Sequence, residues 1–326
     1  MTRRAEISIP TQPFLDKRRA IESGQLRSWK RKGRTWLHPK REWLVRLVLR
    51  TFLRGTFLLE RGERNAQRPA LANLNLEFEN LPAAFDGFRL LHISDVHANG
   101  FDEAGQRLAD LISGIEADLC LLTGDYKFEV AGPWDAAYPV MEAIAGAVRS
   151  RYGIAGILGN HDSLEMLEPF EELGIKMLVN QNWEIKHRGE TIHILGVDDP
   201  HYFGCDDLAS ARANLPEDSF KILMAHSPEI IPEAEAEGIH LYLCGHTHGG
   251  QICLPGIGAL HLNANCERKY ASGYWRHGRM QGHTSRGVGS SCVPVRFACP
   301  PEISLVTLHR REALPRRIDS LNGTRS

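Results

Sequence analysis

The chain has 326 residues, 42% hydrophobic and 24% charged, the profile of a soluble globular protein with one large or two ordinary domains. That profile excludes a wholly disordered chain, a collagen and a multi-span membrane protein. The formal net charge of -1 hides an asymmetry, because 18 of the 39 Lys and Arg but only 6 of the 40 acids fall within the first 68 residues. A basic arm on an acidic body suits an anionic lipid surface or nucleic acid, or simple contact of the arm with its own body. Seven Cys, an odd number with no C-x-x-C among them, argue against a disulfide framework and a zinc ribbon. Reduced thiols place the catalytic part in the cytoplasm.

Residues 1–65 read as the arm. Residues 1–42 are polar and basic and are expected to be flexible. Arg3-Arg4 and Arg18-Arg19 are not followed by an apolar stretch, so no signal peptide is expected. Residues 43–59 predict a basic amphipathic helix. Arg46, Arg50 and Arg54 recur every four residues on one face, opposite Leu44, Leu47, Val48, Thr51, Phe52, Leu58 and Leu59. Three arginines oppose a spanning helix. The pattern suits a helix lying on an anionic membrane surface, here the inner face of the cell membrane, or else one packed on the catalytic body.

Residues 66–310 read as that body, and 311–326 as a polar tail. Leu74, Leu76 and Phe78 alternate with polar residues as in a half-exposed strand. Buried strands are predicted over 88–95, 117–125, 152–160, 190–199, 220–226 and 239–246, with a further strand over 302–308. Helices are predicted over 103–115, 134–149, 163–173, 206–213 and 229–237. This alternation predicts a layered α/β body.

The apolar runs stop on metal-ligand types: Asp95-x-His97, Asp125, Asn160-His161-Asp162, His226 and His246-x-His248. In extended chain, residues two apart point the same way, so each pair can grip one ion. Ligands of open α/β sheets sit beyond the carboxyl ends of the strands, where these residues would converge. Oxygen and nitrogen donors without thiolate suit Mn²⁺, Fe²⁺ or Zn²⁺. The donors are too many for one tetrahedral ion and suit two ions roughly 3.5–4 Å apart.

D-x-H, G-D, G-N-H-D, a lone His and G-H-x-H, in that order, resemble the calcineurin-like metallophosphoesterase family. Gly245–Pro255, Arg286–Gly289, Pro294–Arg296 and Pro301–Ile303 resemble its bacterial membrane-associated branch, some members of which act on UDP-2,3-diacylglucosamine. The resemblance covers about residues 72–310. It implies a four-layer α/β/β/α sandwich, with Asp95, His97 and His248 on one metal, Asn160, His226 and His246 on the other, and Asp125 between them. It implies His161 as general acid, with Asp162 the candidate to orient it, and in-line attack on phosphorus by a bridging hydroxide. Arg286 and Arg296 are candidates to bind substrate and stabilise developing charge, the alternative being surface ion pairing. The expected substrate is a phosphodiester or pyrophosphate of a lipid or nucleotide-lipid at the membrane surface. A nuclease or cyclic-nucleotide phosphodiesterase and an inactive scaffold are the alternatives. No stable nucleic-acid complex is expected, and the oligomeric state is open.

Overall fold

The computed structural model describes residues 11–25, 39–98, 104–130 and 132–311. The remaining parts of the basic arm, and the tail beyond Arg311, lie outside the described residues. The helices are α1 (Gln12–Glu22), α2 (Pro39–Gly55), α3 (Leu59–Ala66), α4 (Ala104–Ser113), α5 (Tyr138–Ala147), α6 (Leu167–Glu172), α7 (Leu208–Arg212) and α8 (Ile231–Ala236). The strands of the first half are β1 (Ala70–Phe78), β2 (Phe88–Ile93), β3 (Glu116–Ala117), β4 (Leu119–Leu122), β5 (Arg149–Ser150), β6 (Ile154–Gly156), β7 (Ile175–Met177) and β8 (Gln181–His187). Those of the second half are β9 (Glu190–Gly196), β10 (Phe220–Met224), β11 (Leu241–Cys244), β12 (Cys253–Leu254), β13 (Gly258–Ala259), β14 (Gly273–His277), β15 (Met280–Thr284) and β16 (Glu302–Arg310).

Two six-stranded sheets carry the body, in the orders β1-β16-β2-β4-β6-β7 and β14-β15-β11-β10-β9-β8. In the first, β2, β4, β6 and β7 run parallel; in the second, β9, β10, β11 and β15 do. Strands covered on both faces read as continuous apolar runs rather than alternating ones, and β4, β10 and β11 are buried along their whole length. Alternate residues therefore face opposite layers. Leu90, Leu119 and Leu121 of the first sheet meet Ile192, Ile194, Ile222, Met224 and Leu241 of the second in one core between the sheets. Leu91, Ile93, Cys120 and Leu122 face outward against Leu108 and Ile112 of α4, Met141 and Ile144 of α5 and Phe170 of α6. Leu195, Leu223, Tyr242 and Cys244 do the same against α7 and α8. The result is the α/β/β/α order of layers, with the carboxyl ends of both parallel sets leading into the loops that carry the site.

The arm differs from its expectation in two places. Within the stretch expected to be flexible, α1 is docked: Arg18 is fully buried, 2.9 Å from the equally buried Asp198 carboxylate and stacked over Phe203. The predicted 43–59 helix begins earlier and stops at Gly55. There Phe57 takes left-handed backbone (φ 59) and the Leu58 N–H reaches back to the Leu53 carbonyl at 2.9 Å, closing the helix as a Schellman turn. Leu53 and Leu59 are buried with Val293 and Val295 in a small separate core. Leu44, Leu47, Val48 and Phe52 remain 45–61% exposed along one side of α2. Arg46 does not share a free basic face with Arg50 and Arg54. Its guanidinium lies over the Phe128 ring and 2.9 Å from Glu129.

Candidate dinuclear metal centre

Each expected ligand sits just past a strand. Asp95 and His97 follow β2, Asp125 follows β4, Asn160–Asp162 follow β6, His226 follows β10, and His246 and His248 follow β11. The loops are stitched together through backbone. Asp95 N–H bonds the Gly124 carbonyl at 3.0 Å, His97 N–H the Asp125 carbonyl at 3.0 Å, and Gly245 N–H the His226 carbonyl at 2.9 Å. Asp95, His97, Asp125, His246 and His248 all hold left-handed backbone, with φ between 46 and 68. Such conformations cost of order 1 kcal/mol each and persist where the surroundings over-determine them, typically at functional sites. Two glycines are required by close approach: a Cβ on Gly159 would run into Asp125, and one on Gly245 into Ser94 and Asp95.

The rings are turned by carbonyls behind them. His97 Nδ1 lies 3.1 Å from the Lys127 carbonyl and His226 Nδ1 2.8 Å from that of Thr123. A carbonyl only accepts, so each Nδ1 carries the proton and each Nε2 lone pair points inward. His246 is the reverse, donating from Nε2 to the Asn263 carbonyl and leaving Nδ1 inward. Carbonyl partners of this kind fix tautomer and orientation in metal-ligating histidines.

The inward atoms converge on two neighbouring points. Asp95, His97 and His248 present ligand atoms within 4.8 Å of one another, as do Asp125, His226 and His246. His97 Nε2 and His248 Nε2 are 3.1 Å apart. Asp125 Oδ2 lies 3.2 Å from His226 Nε2 and 3.7 Å from His97 Nε2, so one carboxylate oxygen serves both groups. Asn160 Oδ1 is 3.0 Å from His226 Nε2. Lone pairs aimed at one another are stable only around positive charge, and this donor set fits two divalent cations. The electrostatics agree. Burial holds His97 down at about 3 and holds His246 and His248 well below the usual imidazole value, leaving them neutral as ligands must be. Burial alone would raise Asp125, but His226, His161 and His97 around it keep its carboxyl well below the ordinary range. Against the cost of its own burial, the Asp125 carboxylate raises His226 to about 10, so without metal a proton holds the cation's place.

His161 lies beside this centre with Nε2 3.8 Å from Asp125 Oδ2, and its Nδ1–H donates to the Phe128 carbonyl at 2.6 Å. The structure corrects three expectations. Asp162 does not orient His161. Its carboxylate accepts from the backbone N–H groups of Asp125 (2.7 Å), Tyr126 (2.8 Å) and Gly159 (2.8 Å), pinning the β4 and β6 loops together. Arg296 is not placed to bind substrate. It is fully buried, donating to the carbonyls of His248 at 3.0 Å and Arg286 at 2.7 Å and to Gly289, and so fastens the His248 turn to the 286–290 loop. Arg286 is committed to Glu302, to which its Nε donates at 2.6 Å.

One neighbour was missed. His201 packs against His246, ring centroids 4.1 Å apart with the planes tilted by 43°, and its Nδ1 is 2.6 Å from Glu229. It closes the run Gly196–His201 after β9, so the strand-end rule that found the other ligands applies to it too. The carbonyls that set the rings carry no side-chain signal.

The sequence profile of the calcineurin-like phosphoesterases matches residues 88–250, from β2 through the His248 turn. The chain belongs to that family. It is a metal-dependent phosphoester hydrolase, and the family works with two divalent ions, for which the clusters above are suited. Among its relatives, phosphodiesterase YaeI of Escherichia coli (strain K12) is 29% identical over 68% of this chain and 82% of its own length. The uncharacterised metallophosphoesterase YkuE of Bacillus subtilis (strain 168) is 28% identical over 70% and 81%. A transmembrane protein with a metallophosphoesterase domain from Danio rerio is 27% identical over 74% of this chain and 58% of its own length.

Proposed function

We propose that this phosphoesterase cleaves a phosphodiester or pyrophosphate bond of a lipid or nucleotide-linked lipid at an anionic membrane surface. Asp95, His97 and His248 would hold one ion, Asn160, His226 and His246 the second, with Asp125 shared. Bound there, the ions neutralise phosphate charge and make water nucleophilic at neutral pH. The protein's own part is then positional. The carbonyls of Lys127, Thr123 and Asn263 take one ring N–H from each of three ligand imidazoles and so aim the other nitrogen inward. The Phe128 carbonyl fixes His161 through Nδ1–H and turns Nε2 toward the centre, from where the imidazolium form would give its Nε2 proton to the departing oxygen and be left as the neutral Nδ1–H ring.

The single observation that carries the lipid assignment is α2. Its Leu44, Leu47, Val48 and Phe52 face outward at 45–61% exposure although Leu53 of the same helix is buried. An apolar stripe outward with arginines beside it suits the membrane interface, whereas a nucleic-acid arm is basic without a broad apolar face. No described helix is long and apolar enough to cross a membrane. The helix is also near the chemistry, since Arg46 packs on Phe128, whose carbonyl orients His161. The name of the zebrafish relative, a transmembrane protein, is in keeping with a membrane setting.

The test is a substrate panel of UDP-diacylglucosamine in vesicles, cyclic nucleotides, single-stranded DNA and a soluble model diester, each with Mn²⁺. Preference for the lipid substrate, lost in Leu47→Asp with Val48→Asp on the exposed side of α2 while the soluble diester is still cleaved, is expected. Preference for DNA or cyclic nucleotides, with binding that falls steeply with salt, would replace the lipid reading with the nucleic-acid one.

A further inference from the structure

The turn that supplies His246 and His248 continues directly into a hairpin, β12 and β13, paired Cys253 with Ala259 and Leu254 with Gly258. Pro255-Gly256 makes its tip, with Gly256 at φ 77 and the Ile257 N–H closing on the Leu254 carbonyl at 3.1 Å. Proline followed by a left-handed glycine is the pairing of a type II turn, a rigid one. The tip is apolar and outward: Leu254 is 42% exposed, Ile257 69% and Leu260 58%. Soluble hairpin tips are normally polar, so three large aliphatic side chains in seven residues call for a partner.

The base of the hairpin is held firmly. Cys253 N–H bonds the Phe297 carbonyl at 2.9 Å, Phe297 N–H bonds the Gln251 carbonyl at 3.1 Å, and the Gln251 side chain bonds Ser291 and Val293. Ile252 and Phe297 pack on the same small core that anchors α2 and α3 through Leu49, Leu53 and Leu59. The hairpin and the outward stripe of α2 thus grow from one foundation. Each also braces one part of the catalytic site. Past Leu260 the chain supplies the Asn263 carbonyl that turns His246, as α2 supplies Arg46 against Phe128.

We infer that the Cys253–Ala259 hairpin, with Leu260, is a second membrane-inserting element that engages the same anionic bilayer surface as α2. The inference rests on the interfacial reading above and adds to it a named second contact. Three side chains at a turn are too few for a stable protein interface, which needs about 800 Å² per partner, but enough to seat in lipid. Charge supports the same occupant: the exposed Arg268 donates to the Ala259 carbonyl beside the tip, and Arg50 and Arg54 are exposed on α2, placing cations at headgroup level next to both apolar sets. Two anchors on one foundation would hold the metal centre at a fixed attitude to the bilayer.

The experiment is flotation of the full chain with vesicles of phosphatidylcholine containing phosphatidylglycerol. It compares wild type, Ile257→Asp with Leu260→Asp, the milder Ile257→Ser with Leu260→Ser, and Leu47→Asp with Val48→Asp in α2. Thermal unfolding and metal content check that each variant is folded; if the Asp pair is not, the Ser pair decides. The hairpin variants are expected to lower partitioning at least about tenfold, since burying one such side chain is worth more than one decade. Hairpin variants that partition like wild type overturn the inference, and loss in the α2 variant alone would then leave α2 as sole anchor. Wild type that ignores these vesicles removes the interfacial reading itself.

Discussion

His161 and Asp162 are neighbours in the chain, yet the first turns its ring toward Asp125 while the second turns its carboxylate onto three backbone N–H groups. Their substitutions should therefore fail differently. His161→Ala is expected to keep its metals and its melting temperature and lose ~10²–10⁴-fold in turnover of an alkyl diester, the usual worth of a general acid. With nitrophenolate leaving, which needs no proton, the loss should shrink; an equal loss for both substrates would count against proton donation. Asp162→Ala strands three buried donors and should cost about 3 kcal/mol or more, seen as a lower melting temperature and weakened metal retention. The separation of roles was not legible beforehand, because the order of residues in G-N-H-D does not say which way each side chain points.

Among elements, the parallel strands β2, β4, β6, β9, β10 and β11 were legible because they are covered on both faces and so are largely apolar, whereas the three-residue β7 was passed over. Strand β15 was not legible either. Its five residues are all buried, but Gln281, His283 and Thr284 are polar and hydrogen-bond Glu77, Ser304 and Trp275. Hydropathy cannot distinguish such a strand from a loop. The same limit hid α1, whose docking depends on a buried Arg18 that pattern reading assigns to solvent. Removing that guanidinium leaves Asp198 buried and unpaired, so Arg18→Ala should cost about 3–5 kcal/mol and open 11–25 to limited proteolysis. A variant as stable and as protected as wild type would show that the contact is incidental. At the head of β16, burial would raise Glu302, but the hydrogen bond from His283 and the charges of His283 and Arg286 bring it down to about 2 from an ordinary 4.5. A lowered carboxyl stabilises the fold fully above its unfolded value, and that share is lost as pH falls from 4.5 toward 2. Glu302→Gln should accordingly be less stable near neutrality and show a flatter acid limb over that window in melting curves.

At the scale of the whole molecule, the catalytic site was the most legible part, since its ligands sit at the carboxyl ends of apolar strands and the topology brings those ends together. The surface around it was less so. The sequence marks an amphipathic stretch, but its break after Gly55, with Leu53 and Leu59 packed on Val293 and Val295, and the turn of Arg46 toward Phe128 both depend on residues far along the chain. The central claim is that two cations share Asp125. Metal analysis of the full chain after reconstitution with manganese tests it most directly. Two tightly held ions per wild-type chain are expected, with both disturbed in Asp125→Ala and chiefly one in His97→Ala; wild-type protein that retains no more than one ion would contradict it.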